Sequence, residues 1–229
     1  MENDSADLGF EREEPQEKTR RVGEVFSSVA SRYDLMNDLM SFGVHRLWKR
    51  YAIHVAQIKS GAKILDVAGG TGDMSVLFHR AAGEKGSVIV SDINNAMLSE
   101  GRDRLLDRGL SSGFQFVQAN AEALPFQKNS FNCLSIGFGL RNVTDKAMAL
   151  RSMYDVLKPG GKVLILEFSK PTNPLLNKIY DKYSFNVIPK VGGLVADDQA
   201  SYQYLVESIR MHPGQQEMLG MLNDAGFED

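Results

Sequence analysis

The sequence predicts a doubly wound α/β fold whose central sheet is mostly parallel. Two observations carry this prediction. From Lys63 onward, short apolar runs alternate with segments of helical spacing, and glycines close the first run. Before Lys63 the apolar residues recur only at helical spacing. Strands separated by helix-length segments are expected to lie parallel, with helices on both faces of one sheet.

The chain is expected to divide into three segments. Residues 1–17 are rich in Glu and Asp, which predicts a flexible acidic leader. Residues 18–60 are expected to form an N-terminal helical cap of two or three helices. Residues 61–229 form the predicted α/β domain, which is long enough to bury a core without disulfides.

Within this domain, the predicted strands and helices alternate, and the last helix is stopped by Lys158-Pro-Gly-Gly161, because proline cannot continue it. The predicted strands are Lys63–Ala68, Ser87–Asp92, Phe114–Ala119, Phe131–Ile136 and Lys162–Phe168, and the predicted helices are Asp73–Ala82, Met97–Leu106 and Lys146–Leu157.

Composition excludes several classes of protein. No apolar run approaches the roughly 18 residues that span a bilayer. The single cysteine, Cys133, can build neither a disulfide framework nor a thiolate metal site, and no metal is expected. A net charge of −3 argues against nucleic acid as the main partner. Residues 1–16 lack an apolar signal core, so a cytoplasmic location is predicted.

The glycine-rich segment after the first strand, Asp66-Val-Ala-Gly-Gly-Thr-Gly-Asp73, predicts a ligand loop. Ligands of open α/β sheets bind at the carboxyl ends of the strands, and glycines such as Gly70 let the backbone approach them closely. The loop has neither G-x-G-x-x-G spacing nor the Gly-Lys-Ser/Thr of a P-loop, so phosphate binding is disfavoured. Asp66 is placed to meet an amino group or an ordered water.

Polar residues after the next strands complete the predicted ligand site. Asp92 is expected to accept both hydroxyls of a ribose. Asn120 is expected to bind an adenine edge, Ala121 to line the ring, and the small residues from Gly137 to leave room for a methionine chain. Taken singly, Asp92 is equally well a helix N-cap and Asn120 a turn residue. Together they describe adenosine without pyrophosphate, which fits S-adenosylmethionine as the cofactor.

At this point six segments resemble the ubiquinone/menaquinone biosynthesis C-methyltransferases, a family of class I, Rossmann-like, S-adenosylmethionine-dependent enzymes. The likeness runs from about Val22 to Phe227. The segments are Val25-Phe-Ser-Ser-Val-Ala-Ser-Arg-Tyr-Asp-Leu-Met-Asn-Asp38, Ser41-Phe-Gly-Val-His-Arg-Leu-Trp-Lys49, Leu65-Asp-Val-Ala-Gly-Gly-Thr-Gly-Asp73, Phe138-Gly-Leu-Arg-Asn-Val-Thr144, Leu166-Glu-Phe-Ser-Lys-Pro171 and Ser201-Tyr-Gln-Tyr-Leu-Val-Glu-Ser-Ile-Arg210.

The resemblance implies methylation of a demethylmenaquinol to menaquinol, of 2-polyprenyl-6-methoxy-1,4-benzoquinol to its 3-methyl product, or of both. It places the cofactor contacts on Thr71, Asp92, Asn120, Ala121 and Gly137. At Gly137 some members have serine, so this chain is expected to offer only backbone there. A methyltransferase of another lipid or phenol, and a non-catalytic adenosine-binding subunit of a quinone-synthesis complex, remain alternatives.

Methyl transfer to carbon needs a nucleophilic ring, which a quinol provides once a hydroxyl loses its proton. Arg141, after the fourth strand, is the candidate catalytic residue, as a donor to the quinol oxygen. A structural salt bridge is the alternative role. The base stays open among His45, Tyr33, Asp34, a water molecule and none.

The expected partner is the prenylated quinol. Aromatic and basic residues of the cap suit contact with the inner face of the cell membrane, which would admit the prenyl tail. Packing of the same stripe on the domain is the alternative, and a homodimer or a quinone-biosynthesis complex also stays open. The stripe comprises Met40, Phe42, His45, Arg46, Trp48, Lys49, Arg50, Tyr51 and Ile53.

The resemblance also bears on the C-terminus. Class I methyltransferases continue the sheet with an antiparallel hairpin after the fifth strand. No stretch after Phe168 has the length and alternation for two more strands, since Pro171 to Gly193 contains prolines and helical spacing. The hairpin is therefore expected to be missing, which would leave the fifth strand as an apolar sheet edge.

Overall fold

The computed structural model describes residues 6–169 and 199–228, except the side chains of Ser31 and Gln199. Contacts divide the chain into two compact units. One comprises Met1–His45 and Phe168–Met218, and the other comprises Arg46–Glu167 and Leu219–Asp229. The boundary was predicted between residues 60 and 61, but residues 46–60 belong to the second unit. Helix Gln199–Met211 groups with the N-terminal helices in the first unit.

The first unit combines a short hairpin with helices. β1 (Ala6–Leu8) pairs antiparallel with β2 (Glu11–Glu13), and α1 (Pro15–Val29) and α2 (Tyr33–Ser41) follow. Proline at the start of α1 suits a position whose N–H has no helical partner. The helix Gln199–Met211, here α7, contacts α1 and β1.

The predicted flexible leader is not what the structure shows from Ala6 onward. Ala6 and Leu8 are buried, and the Phe10 N–H donates to Glu207 Oε2 at 3.2 Å. Composition missed this order because the stabilising partner lies 197 residues away along the chain.

The second unit is a parallel sheet with its helices. The strand order is β5-β4-β3-β6-β7, and every neighbouring pair is parallel. The predicted doubly wound α/β fold is therefore confirmed. The elements are α3 (His45–Ala56), β3 (Lys63–Val67), α4 (Asp73–Ala82), β4 (Ser87–Asp92), α5 (Asn95–Asp107), β5 (Phe114–Gln118), β6 (Phe131–Gly137), α6 (Lys146–Val156), β7 (Leu157–Leu166) and α8 (Gln215–Ala225).

The core lies on both faces of the central strands. Ile64 and Leu65 point to opposite faces of β3, and both are fully buried, as are Leu134 and Ile136 of β6. Burial on both faces explains why these strands are nearly continuous apolar runs in the sequence. The chain winds to one side of β3 through β4 and β5, and to the other through β6 and β7, so the switch point lies between β3 and β6.

Strand β7 differs from its prediction. It begins at Leu157, five residues early, because Leu157 pairs with Phe131 before a register shift brings Lys162 opposite Cys133. The intervening Lys158-Pro-Gly-Gly161 is thus a bulge within the strand. Among residues 6–169 and 199–228, β7 ends the strand order. Pro171 to Gly193, used to predict a missing hairpin, lies outside the described residues.

Helix α3 has apolar side chains on two faces, because Ala52 and Ile53 pack against the core while others are exposed. His45 and Lys49 are buried, at 0% and 6% exposure, whereas Trp48 and Tyr51 are 38% and 69% exposed. Leu47 and Val55 are exposed too. The stripe is thus divided between buried and exposed residues, and the choice between packing and membrane contact stays a prediction. No helix in the described part of the chain is long and apolar enough to cross a membrane.

Candidate functional site

Two loops leave the sheet at the switch point and contact each other. Each turns through a left-handed residue directly after its strand: Ala68, with φ 50°, follows β3, and Phe138, with φ 58°, follows β6. A methyl group added at Gly139 would lie 2.5 Å from Ala68 Cβ, so only glycine fits there. Left-handed conformations are costly for residues with side chains, and they concentrate at functional sites.

Asp92, at the end of β4, is a buried carboxylate that lies beside the glycine loop. Its Oδ2 accepts the Gly70 N–H at 3.0 Å, and its Oδ1 accepts the Asn94 N–H at 2.9 Å. Burial raises the pKa of Asp92 to about 6, against the effect of these N–H donors. Each oxygen keeps capacity for another donor, so the carboxylate can accept two hydroxyl groups.

Asn94, and not Asp92, is the N-cap of helix α5. Asn94 precedes α5, and its Oδ1 accepts the N–H groups of Ala96 and Met97. Asp92 is therefore not needed to cap α5, and ligand binding through its remaining acceptor capacity stays a prediction.

Asp66 is engaged inside the protein. Its two oxygens accept the Ser75 and Ser135 hydroxyls, both at 2.6 Å, and its side chain is almost fully buried. Burial raises the pKa of Asp66, and the two serine hydroxyls oppose this shift. Asp66 thus links β3 to α4 and β6, and the amino group or water expected there is replaced by serine hydroxyls.

The remaining predicted cofactor residues lie at the same edge of the sheet. Gly70 and Thr71 are buried in the loop after β3, and Ala121 is buried in the short 3-10 helix Ala121–Ala123 after β5. Asn120 caps that helix, because its Oδ1 accepts the Glu122 N–H at 3.0 Å. This bond leaves its amide nitrogen able to donate to a ligand.

Gly137 ends β6 against α4. A methyl group added at Gly137 would lie 2.6 Å from the Met74 sulfur. Methionine thus occupies the space that a side chain would need. The predicted contact through backbone alone agrees with this packing.

Arg141 is paired within the protein. Its Nη1 donates to Glu167 Oε1 at 3.0 Å and to Oε2 at 3.3 Å, and both side chains are buried. Burial raises the pKa of Glu167 to about 7, although Arg141 and Lys146 oppose the shift. The alternative prediction of a salt bridge is thus confirmed, and the donor role of Arg141 toward a quinol stays a prediction.

Sequence reasoning missed Glu167 as a site residue. It directly follows β7, so it lies at the carboxyl edge beside the loop after β6. The available signal was an acid at the end of the apolar run of the fifth predicted strand, Lys162–Phe168. Its partner is 26 residues away, which no local pattern indicates.

The base candidates are described with the first unit. His45 is fully buried, and its Nε2 lies 2.9 Å from Asp38 Oδ1. Tyr33 and Asp34 form the first turn of α2. A role for any of them as the base stays a prediction.

Comparison with known proteins gives one consistent result. The model of the ubiE/COQ5 methyltransferase family matches residues 14–229. The Ubiquinone/menaquinone biosynthesis C-methyltransferase UbiE of Cellvibrio japonicus is 57% identical over 226 residues, covering 99% of this chain and 91% of that protein. The protein of the same name from Cronobacter sakazakii is 56% identical, covering 99% of this chain and 90% of that protein.

Solved structures agree on the fold. A SAM-dependent methyltransferase from Thermotoga maritima aligns with a TM-score of 0.63 at 18% identity, covering 90% of this chain and 81% of that chain. One from Aquifex aeolicus aligns with a TM-score of 0.54 at 18% identity, covering 76% of this chain and 87% of that chain. Identities this low support the fold alone.

Proposed function

Because this chain belongs to the ubiE/COQ5 methyltransferase family, we propose that it transfers a methyl group from S-adenosylmethionine to a ring carbon of a prenylated quinol in ubiquinone and menaquinone biosynthesis. Family membership confirms the resemblance drawn from the sequence and makes the chain an enzyme. One observation carries the proposed reaction: relatives named for this C-methylation are 56–57% identical along nearly the whole chain.

The residues at the switch point fit S-adenosylmethionine. Buried Asp92 retains acceptor capacity for two ribose hydroxyls, and Asn120 retains an amide donor for the adenine edge. Gly137 offers backbone alone on this side, because Met74 packs where a side chain would lie. When bound, the cofactor supplies a methyl group on a positively charged sulfur, which makes the methyl carbon electrophilic.

The quinol supplies the nucleophile. Loss of one hydroxyl proton spreads negative charge onto the adjacent ring carbons, and a nearby cation stabilises that charge. Arg141 is the proposed cation, held in place by Glu167. Since Arg141 is buried, the attraction between its guanidinium and a phenolate would be weakly screened, although Glu167 offsets part of its charge. The ring carbon would form its bond to the methyl carbon as the methyl–sulfur bond breaks, and the sulfur would keep that electron pair as a neutral thioether. The ring carbon would then lose its proton to a base, which restores the aromatic ring.

The exposed face of α3 supports the proposal that the protein binds a membrane surface and takes its substrate from there. Leu47, Trp48, Tyr51 and Val55 face outward, and Arg46 and Arg50 are exposed on the same helix. Apolar side chains flanked by arginines suit the interface of an anionic bilayer. Cosedimentation with vesicles containing anionic lipid tests this, with the Leu47→Ser/Tyr51→Ser variant as the comparison.

The function is tested by radiolabelled methyl transfer to a panel of quinols under reducing conditions. The panel holds short-chain demethylmenaquinol, prenylated methoxybenzoquinol and a simple phenol. We expect transfer to one or both quinols. Transfer to the phenol alone would assign another methyltransferase activity, and S-adenosylmethionine binding without transfer would assign a non-catalytic subunit.

The Arg141→Lys variant tests the proposed cation in the same assay. Lysine keeps the charge but loses the planar fork, so turnover should fall more than cofactor affinity. Equal losses in both would mean that Arg141 serves the fold alone.

A further inference from the structure

Lys49 brings a buried ammonium group to both switch-point loops. Its Nζ lies 3.3 Å from Oδ2 of Asp73, the residue directly after the glycine loop. The same Nζ lies 5.8 Å from the centroid of the Phe138 ring, in the loop after β6. Lys49 is only 6% exposed. Lysine is rarely buried without a close anionic partner, and Asp73 is such a partner here.

Positive charge exceeds negative charge around this ammonium. Arg104 Nη2 lies 4.0 Å and Arg108 Nη1 3.9 Å from Oδ1 of Asp73. Burial raises the pKa of Asp73, but Lys49 and the two arginines outweigh it and hold the pKa below its ordinary value. Asp66 is a second acid within reach of the Lys49 charge, which lowers its pKa against the effect of burial. Two carboxylates therefore lie near three cations.

The start of α4 adds to this positive potential. Asp73 is the first residue of α4, and the preceding Gly72 has no side chain to cap the helix. The N–H groups of a first turn and the helix dipole both favour an anion, and here the Ser75 N–H already donates to the Asp66 carboxylate. The ammonium of Lys49 also has three donors, of which Asp73 takes one at 3.3 Å. Donors remain for a second carboxylate.

We infer that Lys49 binds the carboxylate of the methionine part of S-adenosylmethionine. The inference rests on the proposed function and adds a residue to it. Asp92, at the end of β4, is assigned to the ribose, so the rest of the ligand must extend toward the loops after β3 and β6. Lys49 contacts both of these loops, and the carboxylate is the only anionic group of this cofactor. Lys49 would hold the methionine end of the cofactor by its carboxylate. It would not touch the reacting methyl group.

Two ligands that differ only in this carboxylate test the inference. S-adenosylhomocysteine carries it, and S-adenosyl-3-thiopropylamine lacks it; neither can transfer a methyl group, so calorimetric titration measures binding alone. The wild-type chain should bind S-adenosylhomocysteine at least about tenfold more tightly than the amine. In Lys49→Met the preference should shrink to about twofold through weaker binding of S-adenosylhomocysteine, with unchanged affinity for the amine. Lys49→Arg should restore much of the preference.

Lys63→Met is the matched control. Lys63 also lies over an aromatic ring, with Nζ 5.0 Å from the Phe131 centroid. It is the first residue of β3, so it lies at the amino ends of the strands and not at the carboxyl ends. It should leave both affinities unchanged.

Equal wild-type affinity for the two ligands, or equal losses of both in Lys49→Met, would overturn the inference and leave the proposed function standing. Absence of any binding to S-adenosylhomocysteine would overturn both. If Lys49→Met does not fold, the wild-type preference and the Lys49→Arg variant decide.

Discussion

The two sides of the switch point hold a buried acid in different ways. On the β4 side, Asp92 is bonded by the backbone N–H groups of Gly70 and Asn94. On the β7 side, Glu167 is bonded by the guanidinium of Arg141. Neutral dipoles leave a carboxylate with negative charge to offer a ligand, whereas an ion pair cancels it. The comparison supports the proposal that Asp92 binds the ligand, while Glu167 holds Arg141 in place.

The largest effect that would sharpen this contrast concerns Glu167. Replacing it with alanine leaves the Arg141 charge buried without its carboxylate, so unfolding free energy should fall by about 3–5 kcal/mol. The double variant Glu167→Ala/Arg141→Met should recover much of this loss. Urea unfolding measures both, and a single variant as stable as the wild type would break the contrast.

Asp92→Ala should act on binding instead. It removes charge-assisted bonds to the ribose that are worth about 1.5–3 kcal/mol each, so affinity for S-adenosylhomocysteine should fall at least tenfold with the fold intact. Asp145→Ala is the control, because Asp145 caps α6 through the Met148 N–H and should lose stability but not affinity. Wild-type affinity in a folded Asp92→Ala variant would remove the ribose assignment.

Gly137 tests whether packing fixes the space on the β6 side. In Gly137→Ser the new Cβ would meet the Met74 sulfur at 2.6 Å, which should cost about 1–3 kcal/mol of stability. Adding Met74→Ala should relieve the clash, though it leaves a smaller side chain in the core.

Gly160→Ala is the control, because a Cβ added at Gly160 would meet no other atom. It should cost about 1–2 kcal/mol from its φ of +71° alone, and Met74→Ala should not relieve that cost. Equal behaviour of the two glycines in thermal unfolding would show that Met74 does not fill this space.

The smallest effect is a pH dependence of binding. The pKa of Asp92 is raised to about 6, so its ionised form, which accepts both hydroxyls, is depleted below that pH. Affinity for S-adenosylhomocysteine should fall by up to about tenfold from pH 7 to pH 5. Glu167→Gln should keep this dependence and Asp92→Asn should abolish it. The reverse pattern would place the titrating acid on the β7 side.

Without ligand, the same raised pKa has the opposite sign. Between the ordinary value of 3.8 and about 6, the folded chain holds a proton on Asp92 that the unfolded chain has lost. The contribution of Asp92 to stability should therefore decrease as pH rises through that window. Unfolding free energies of the wild type and Asp92→Asn, compared at both ends of the window, measure it.

Sequence predicted the strands better than the contacts between them. β3 to β6 lie within one residue of their predicted limits, because apolar runs and glycine stops are local signals. Leu157 was assigned to a helix, since its pairing with Phe131 depends on a register shift that no local pattern encodes.

The candidate site divides in the same way. The position of Asp92 followed from the topology of an open α/β sheet, but the serine partners of Asp66 and the pairing of Arg141 with Glu167 are contacts between distant segments. Lys49 was assigned to the basic residues of an exposed stripe, because helical spacing gives the faces of α3 without saying which one is buried.

One contact of α5 has a genetic consequence. A methyl group added at Gly101 would lie 2.4 Å from the Gly70 carbonyl oxygen and 3.2 Å from the carbonyl carbon of Thr71. Glycine-to-alanine changes inside helices usually stabilise a protein, so random mutagenesis should tolerate most of them. At codon 101 the same change would press on the glycine loop from behind and give a loss-of-function allele outside the site. Second-site revertants of that allele should map to α5 or to codons 69–72, and their positions would trace how the helix supports the loop.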